Sequence, residues 1–217
     1  MAVVERSPLS RERIADAALA LGDVEGLDGL SMRKVGASLG VEAMSLYNHV
    51  ANKDDLLDAI GDLLYAQILD RYVPDPDIEW QQNSRALVRT FFDVAMEHPN
   101  MVSIMLDRPI PSITKLFFLQ KCYEMFVGAG YPAKEAALAF NTVAGWLTGM
   151  VHSELTLMRQ LQENGIPFTR DDVPEEFHGA IEFMESCTAW SAEERLEAGF
   201  DTLLLGFESE LAEKGWS

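Results

Sequence analysis

The chain has 217 residues, 48% of them hydrophobic and 24% charged, enough for one substantial core or for a small domain joined to a larger one. No apolar run approaches the roughly 18–20 residues that span a bilayer, and residues 1–6 lack the basic head and apolar stretch of a secretory leader, so the expectation is a cytoplasmic protein with no membrane partner. The net charge of −18 is uneven: residues 1–53 carry −1 and the remainder −17, which disfavours indiscriminate binding to polyanions but permits a specific site at the N-terminal end.

Apolar residues recur every three to four positions and no stretch alternates with period two, so the chain reads as all-α, with about ten helices. Ser10 caps a first helix through Ile14, Ala18 and Leu21, ending near Gly22–Gly26. Ser31 caps a short second helix to Leu39, Gly40 breaks it, and a third runs from Glu42 to Tyr47 or His49. Asn52 opens a fourth, with Leu56, Leu57, Ile60, Leu64 and Ile68 on its apolar face, and Pro74-Asp75-Pro76-Asp77 forms a linker. A fifth helix carries Trp80, Ser84, Leu87, Phe91 and Ala95 and stops at His98-Pro99. A short sixth lies around residues 102–106, Pro109-Ile110-Pro111 interrupts the chain, and a seventh reaches Phe126. Pro132 starts a long eighth helix to about Leu161, residues 163–173 form a mobile loop, and a ninth helix covers about 174–187. Ser191 and Glu194 have capping-box spacing before a tenth. Cys122 and Cys187 lie in apolar helical settings and read as buried free thiols.

The stretch from Leu30 to Lys53 carries the functional signal. Two short helices meet at Gly40, Gly36 permits close approach, and Val35, Leu39, Val41, Leu46 and Val50 supply a shared core. That is the recipe for a helix-turn-helix, whose second helix enters the DNA major groove. The run Ser31-Met32-Arg33-Lys34-Val35, Leu39-Gly40-Val41, Ser45-Leu46-Tyr47-Asn48-His49-Val50 and Lys53-Asp54-Asp55-Leu56-Leu57 resembles the TetR family of repressors, closest to its tetracycline-repressor subgroup. The resemblance implies a DNA-binding domain over residues 8–70, with the motif at about 31–50, and a helical effector-binding and dimerisation domain over 75–217.

It also implies roles. Ser31 and Arg33 would contact phosphate or an adjacent base; Ala43, Met44, Ser45 and Asn48 would read bases; Tyr47, His49 and Lys53 would anchor the DNA backbone. Each has a plainer reading: Tyr47 as packing, His49 as a solvated side chain, Lys53 as a helix-end residue. The implied effector pocket comprises Phe91, Phe92, Met101, Met105, Phe117, Phe118, Asn141, Trp146 and Glu154, which suit an apolar or aromatic small molecule. A homodimer face would use Ala137, Ala144 and Thr148 of the eighth helix with Leu203 and Phe207 of the tenth; packing within one subunit is the other reading. Where tetracycline repressors place metal-binding histidines, this chain has Met105-Leu106-Asp107-Arg108-Pro109 and Trp146, so tetracycline with its metal is not the expected effector, and neither metal nor cofactor is expected.

No nucleophile elbow, phosphate loop or dinucleotide fingerprint is present, and the four histidines stand apart, so the chain is not expected to be an enzyme. A ligand-responsive repressor bound to double-stranded operator DNA is the first reading. A helical protein that sequesters small molecules is the second, and an activator the third.

Overall fold

Four helices begin on side chains that the sequence places three residues before the backbone N–H they cap. In the computed structural model, which describes residues 8–109, 112–163 and 168–216, Ser10, Ser31, Asn52 and Ser191 all have extended backbone and accept from the third residue of the helix that follows. These bonds satisfy N–H groups that would otherwise have no partner inside the helix. At Ser191 the bond is reciprocated, because Glu194 Oε2 accepts from the Ser191 N–H at 2.8 Å. The helices are α1 (Arg11–Gly29), α2 (Met32–Leu39), α3 (Ala43–Leu46), α4 (Lys53–Arg71), α5 (Trp80–Glu97), α6 (Ser103–Asp107), α7 (Ile113–Gly128), α8 (Ala133–Glu163), α9 (His178–Ala189) and α10 (Ala192–Lys214). No strand occurs among the described residues.

The expected boundaries shift in three places. α1 continues through Gly22, which is buried and helical, and breaks only at Gly26, whose φ of 75° no other residue adopts cheaply. α3 is a single turn, Ala43–Leu46, extended by the Val50 N–H donating to the Leu46 carbonyl at 3.0 Å. Within the expected loop, Arg170–Asp172 is a 3₁₀ turn closed by a Thr169/Asp172 capping box, while residues 164–167 lie outside the described residues, as do residues 1–7 and Ile110-Pro111.

The chain divides into two compact units, one drawn from Met1–Val73 and Asp93–Lys121, the other from Pro74–Phe92 and Cys122–Ser217. In the first, α1 packs on α2 and α4, α2 on α3, and α4 on α6, around buried Ile14, Val35, Leu46, Leu56, Ile60 and Met101. Thus α6 belongs with the N-terminal helices; Arg108, just beyond it, reaches Asp54 at 3.3 Å and Asp58 at 3.2 Å near the start of α4. In the second, α8 packs on α10. There Phe126, Tyr131 and Phe207 form an edge-to-face cluster, with centroids 5.9–6.3 Å apart. Burial and then Glu210 push the Tyr131 hydroxyl's pKa up. Cys122 is buried and its thiol is pushed up to about 12 by desolvation, but Cys187 is exposed on α9, contrary to expectation, because that helix is exposed on every side beyond Ile181.

Candidate nucleic-acid interface and effector domain

Gly40 ends α2 in the left-handed region (φ 68°, ψ 33°), donating to Ala37 O, while the Val41 N–H donates to Gly36 O at 2.9 Å. This paired closure turns the chain within two residues. Gly36 then lets α3 lie against α2: a Cβ there would stand 3.0 Å from Val41 O and 3.1 Å from Ala43 N, both backbone atoms. Leu46 and Val50 plug the underside at 0% and 1% exposure, which turns the remaining residues of the segment outward.

Of the nine residues to which the resemblance gives DNA roles, six are exposed. Met44 is 72% and Tyr47 43% exposed; Asn48 and His49 are exposed, and Ala43 and Ser45 half-buried. Arg33 and Lys53 are exposed and carry no ion pair among the described residues, whereas neighbouring Lys34 is bound to Glu25. Ser31 is half-buried and accepts from the Lys34 N–H at 3.4 Å, leaving its own hydroxyl proton available. The surface therefore offers two unengaged cations, several neutral donors and one apolar tip, a set suited to phosphate anchoring and base contact.

One functional joint has no counterpart among the predicted residues. Arg11 pairs with Asp55 (Nη2–Oδ1, 2.6 Å) and donates to its carbonyl, while Asp55 Oδ2 accepts from the Ala51 N–H at 2.7 Å. The guanidinium and that N–H hold the Asp55 carboxyl below its usual range. The joint ties the start of α1 to the turn that leaves the recognition segment. Its only sequence trace is the Asn52-x-x-Asp55 cap spacing.

In the second unit, Phe91 and Phe92 are buried, and Trp146 is half-buried and stacks on Phe200 at 5.7 Å. Gly199 makes that stacking possible, since a Cβ there would meet Trp146 Cζ2 at 2.8 Å. Asn141 is exposed. Glu154 is 4% exposed, but both oxygens are taken by Arg195 (Nε 2.7 Å, Nη2 2.5 Å). Arg195 also donates to the carbonyls of Cys187 and Trp190 at the end of α9. The cation opposite Glu154 is thus a residue of the chain itself, 41 positions away. Of the pocket residues in the first unit, Met101, Met105 and Phe118 are buried, with Met101 seated over Gly22 and Phe118 5.2 Å from Tyr65, whereas Phe117 is 60% exposed. A cavity of about 500 Å³ in the second unit is lined by α5 and α10 residues including Gln81, Arg85, Asp201 and Glu208, none of them among those predicted.

The expected dimer residues separate. Ala137 is exposed and Ala144, Thr148 and Leu203 half-buried, but Phe207 is turned inward to Phe126 and Tyr131; Leu205, two positions earlier, is the exposed residue at 68%. Gly145, Gly149 and Gly206 have no atom within 4 Å of a built Cβ, so they do not serve packing inside the described chain.

Comparison with known proteins identifies the family and the fold. The model for bacterial regulatory proteins of the tetR family matches residues 14–60, and that for the tetracyclin repressor-like C-terminal domain matches residues 73–211. The HTH-type transcriptional repressor DrrR1 of Streptomyces coeruleorubidus is 30% identical over 173 residues, 76% of this chain; the chain spans 62% of that relative's length. The class E tetracycline repressor protein of Escherichia coli is 27% identical over 206 residues, 95% of this chain and 94% of the relative. The crystal structure of apo ActR from Streptomyces coelicolor superposes with a TM-score of 0.77 at 23% identity, covering 96% of this chain and 99% of that one, a likeness of fold; ActR has also been crystallised with actinorhodin.

Proposed function

The chain belongs to the TetR family of bacterial regulatory proteins, and on that premise we propose that it is a dimeric repressor released from operator DNA by a small apolar or aromatic effector. The observation that carries this reading is the exposed constellation of Arg33, Met44, Tyr47, Asn48, His49 and Lys53 on a helix-turn-helix closed by Gly36 and Gly40. A protein that only sequestered small molecules would have no need of a surface with unengaged cations facing outward beside a buried Leu46. Phosphate anchoring falls to Ser31, Arg33, Tyr47, His49 and Lys53, and base reading to Ala43, Met44, Ser45 and Asn48. The methyl end of Met44 suits a thymine methyl.

Dimerisation is supported by two faces without charge. α8 presents Leu138, Asn141, Thr142, Gly145 and Gly149, and α10 presents Ala198, Thr202, Leu205 and Gly206, all exposed in a chain of net charge −18. Thr142 and Thr202 donate to the carbonyls of Leu138 and Ala198 on their own helices, which removes their need for water. A second copy would cover both faces, and paired half-sites on DNA ask for that two-fold symmetry. The relatives' ligands, tetracycline by name and actinorhodin by structure, support an aromatic effector, held in the second unit with Phe91, Phe92 and Trp146 among its contacts.

The test is fluorescence anisotropy of the purified protein on DNA flanking its own gene, at two salt concentrations, with scrambled DNA as control. The expected result is specific, salt-weakened binding with two chains per palindrome. Tyr47→Ala and Arg33→Ala should each weaken it about fivefold or more, in line with about 1–3 kcal/mol per lost contact. Equal affinity for scrambled DNA would transfer the reading to sequestration.

A further inference from the structure

We propose that the first unit carries a small-molecule site of its own, a cavity between α1 and α4 that takes an organic ammonium ion with a small apolar body. Three aspartates, Asp55, Asp58 and Asp62, share one face of α4 at helical spacing. The chain answers two of them with guanidinium groups, Arg11 on Asp55 at 2.6 Å and Arg108 on Asp58 at 3.2 Å. Asp62 has no ion pair among the described residues, and its Oδ1 is buried without a hydrogen-bond partner. Arg11 feels the charge of Asp62, but its raised pKa is owed first to Asp55, which also takes its hydrogen bonds.

The unanswered carboxylate borders a cavity of about 300 Å³, at the small end of the range for ligand pockets. Its apolar wall is Ala15 of α1 with Ala59 and Ala66 of α4; the space exists because these side chains stop at Cβ where the two helices pack. Arg11 and Glu12 stand exposed at the rim, and Thr114 near the start of α7 adds a hydroxyl. All of these residues belong to the first unit.

This lining selects its occupant by chemistry. A carboxylate held partly out of water without a partner is costly, and a charged N–H donor offsets that cost better than a neutral one. The guanidinium groups nearby are already committed to Asp55 and Asp58. A metal ion does not suit the site, because no group of three or more His, Cys, Asp or Glu side chains among the described residues could hold one. The alanines ask instead for a hydrocarbon body, which an inorganic cation lacks. A primary ammonium on a small aliphatic ring meets both demands, with Asp62 and the Thr114 hydroxyl as its acceptors. Bound there, it would tie α4 to α1 about two turns along α4 from the Arg11–Asp55 joint. Because α1 also packs on α2, that tie would stiffen the support of the helix-turn-helix. Any effect on operator affinity rests on the regulator reading above; the binding itself does not.

The experiment is a titration of the full DNA-free chain with cyclohexylamine, protonated at neutral pH, followed by amide nitrogen–proton correlation spectra at fixed ionic strength. Cyclohexanol has the same body without the charge and is the control. The expected result is saturable shifts centred on residues 11–15 and 59–66, with cyclohexanol binding there about tenfold more weakly or worse, the size of one charge-assisted contact. Asp62→Asn should weaken the amine by a similar factor of about ten and bring it level with the alcohol. Ala66→Leu leaves every charge in place and should abolish binding of both by filling the space. Shifts that never saturate and spread over the acidic surface overturn the proposal. So does equal binding of amine and alcohol to the wild type, or an Asp62→Asn chain that keeps the wild-type affinity for the amine. Should Asp62→Asn fold poorly, the alcohol and Ala66→Leu decide. No DNA is involved, so failure here leaves the regulator reading standing, and failure on operator DNA leaves the amine site standing.

Discussion

Glycines in two regions of the molecule serve opposite ends. Gly36 is pressed from the other side of the turn by Val41 O and the Ala43 backbone, so its missing side chain is used up inside the chain. Gly145, Gly149 and Gly206 on α8 and α10 have nothing within 4 Å of a built Cβ. The helix-turn-helix is finished within one polypeptide. The α8 and α10 faces carry small and apolar residues whose purpose appears only when something outside the chain lies on them. On the proposed dimer reading, the helix-turn-helix can be folded before it is paired, and pairing would set the spacing of the two recognition segments.

The strongest way to break that comparison is Gly36→Val. Two methyls beyond a Cβ already 3.0–3.2 Å from backbone must push α3 off α2, since no flexible side chain is there to yield. Overpacking of this kind costs about 1–3 kcal/mol in stability. The loss on DNA should be greater, because displacing the segment would disturb several of the proposed base contacts, each worth about 1–3 kcal/mol. Operator affinity should fall at least about 100-fold while the far-ultraviolet circular dichroism stays helical. Retained affinity would mean that the turn has slack the structure denies it.

Gly149→Ile sharpens the other side. In an exposed helix position Ile is favoured over Gly by roughly 0.5 kcal/mol, so the isolated chain should melt no earlier than wild type. On a two-fold face the added bulk meets a partner in each copy, and overpacking of about 1–3 kcal/mol per site should raise the dimer dissociation constant by about tenfold or more. Sedimentation velocity across a concentration series measures this. A lowered melting temperature with an unchanged dimer would place Gly149 inside the subunit and reverse the comparison.

The same contrast explains what could be read from residues alone. Caps and turns are local: Ser10, Ser31, Asn52 and Ser191 each act three residues ahead, and Gly40 turns the chain by itself, so these elements were legible. So was the outward set from Met44 to His49, because Leu46 and Val50 fix the orientation of so short a segment. Rotation of a long helix about its axis is not local. Phe207 and Leu205 are both apolar and two positions apart, and which one faces outward is decided by Phe126 and Tyr131 far away in sequence. Likewise nothing near Glu154 announces Arg195, and nothing near His98 announces Asp23, 75 positions away. The placement of α6 with α1 and α4 follows from those distant partners rather than from any pattern within residues 98–108.

The smallest expected effect concerns how the first unit is closed at its surface. Arg11 and Asp55 join the start of α1 to the start of α4, yet their side chains are 43% and 31% exposed, so solvent screening reduces the pair to about 0.5–1 kcal/mol. The Asp55 carboxyl is held below its usual range by Arg11 first and the Ala51 N–H second. A depressed carboxyl contributes stability that is fully present above its unfolded value, about 4, and is lost as pH falls through the lower folded value. Arg11→Met removes the larger cause and leaves the Ala51 bond. Urea unfolding should therefore show the variant about 0.5–1 kcal/mol less stable at pH 7, with the gap closing as acid protonates the Asp55 carboxyl below the usual carboxylate range. A gap that persists in acid would show that Arg11 acts through the packing of its stem on α4, not through its charge. The closure of the DNA-reading unit would then be apolar throughout, and its independence from pairing stronger than the ion pair suggests.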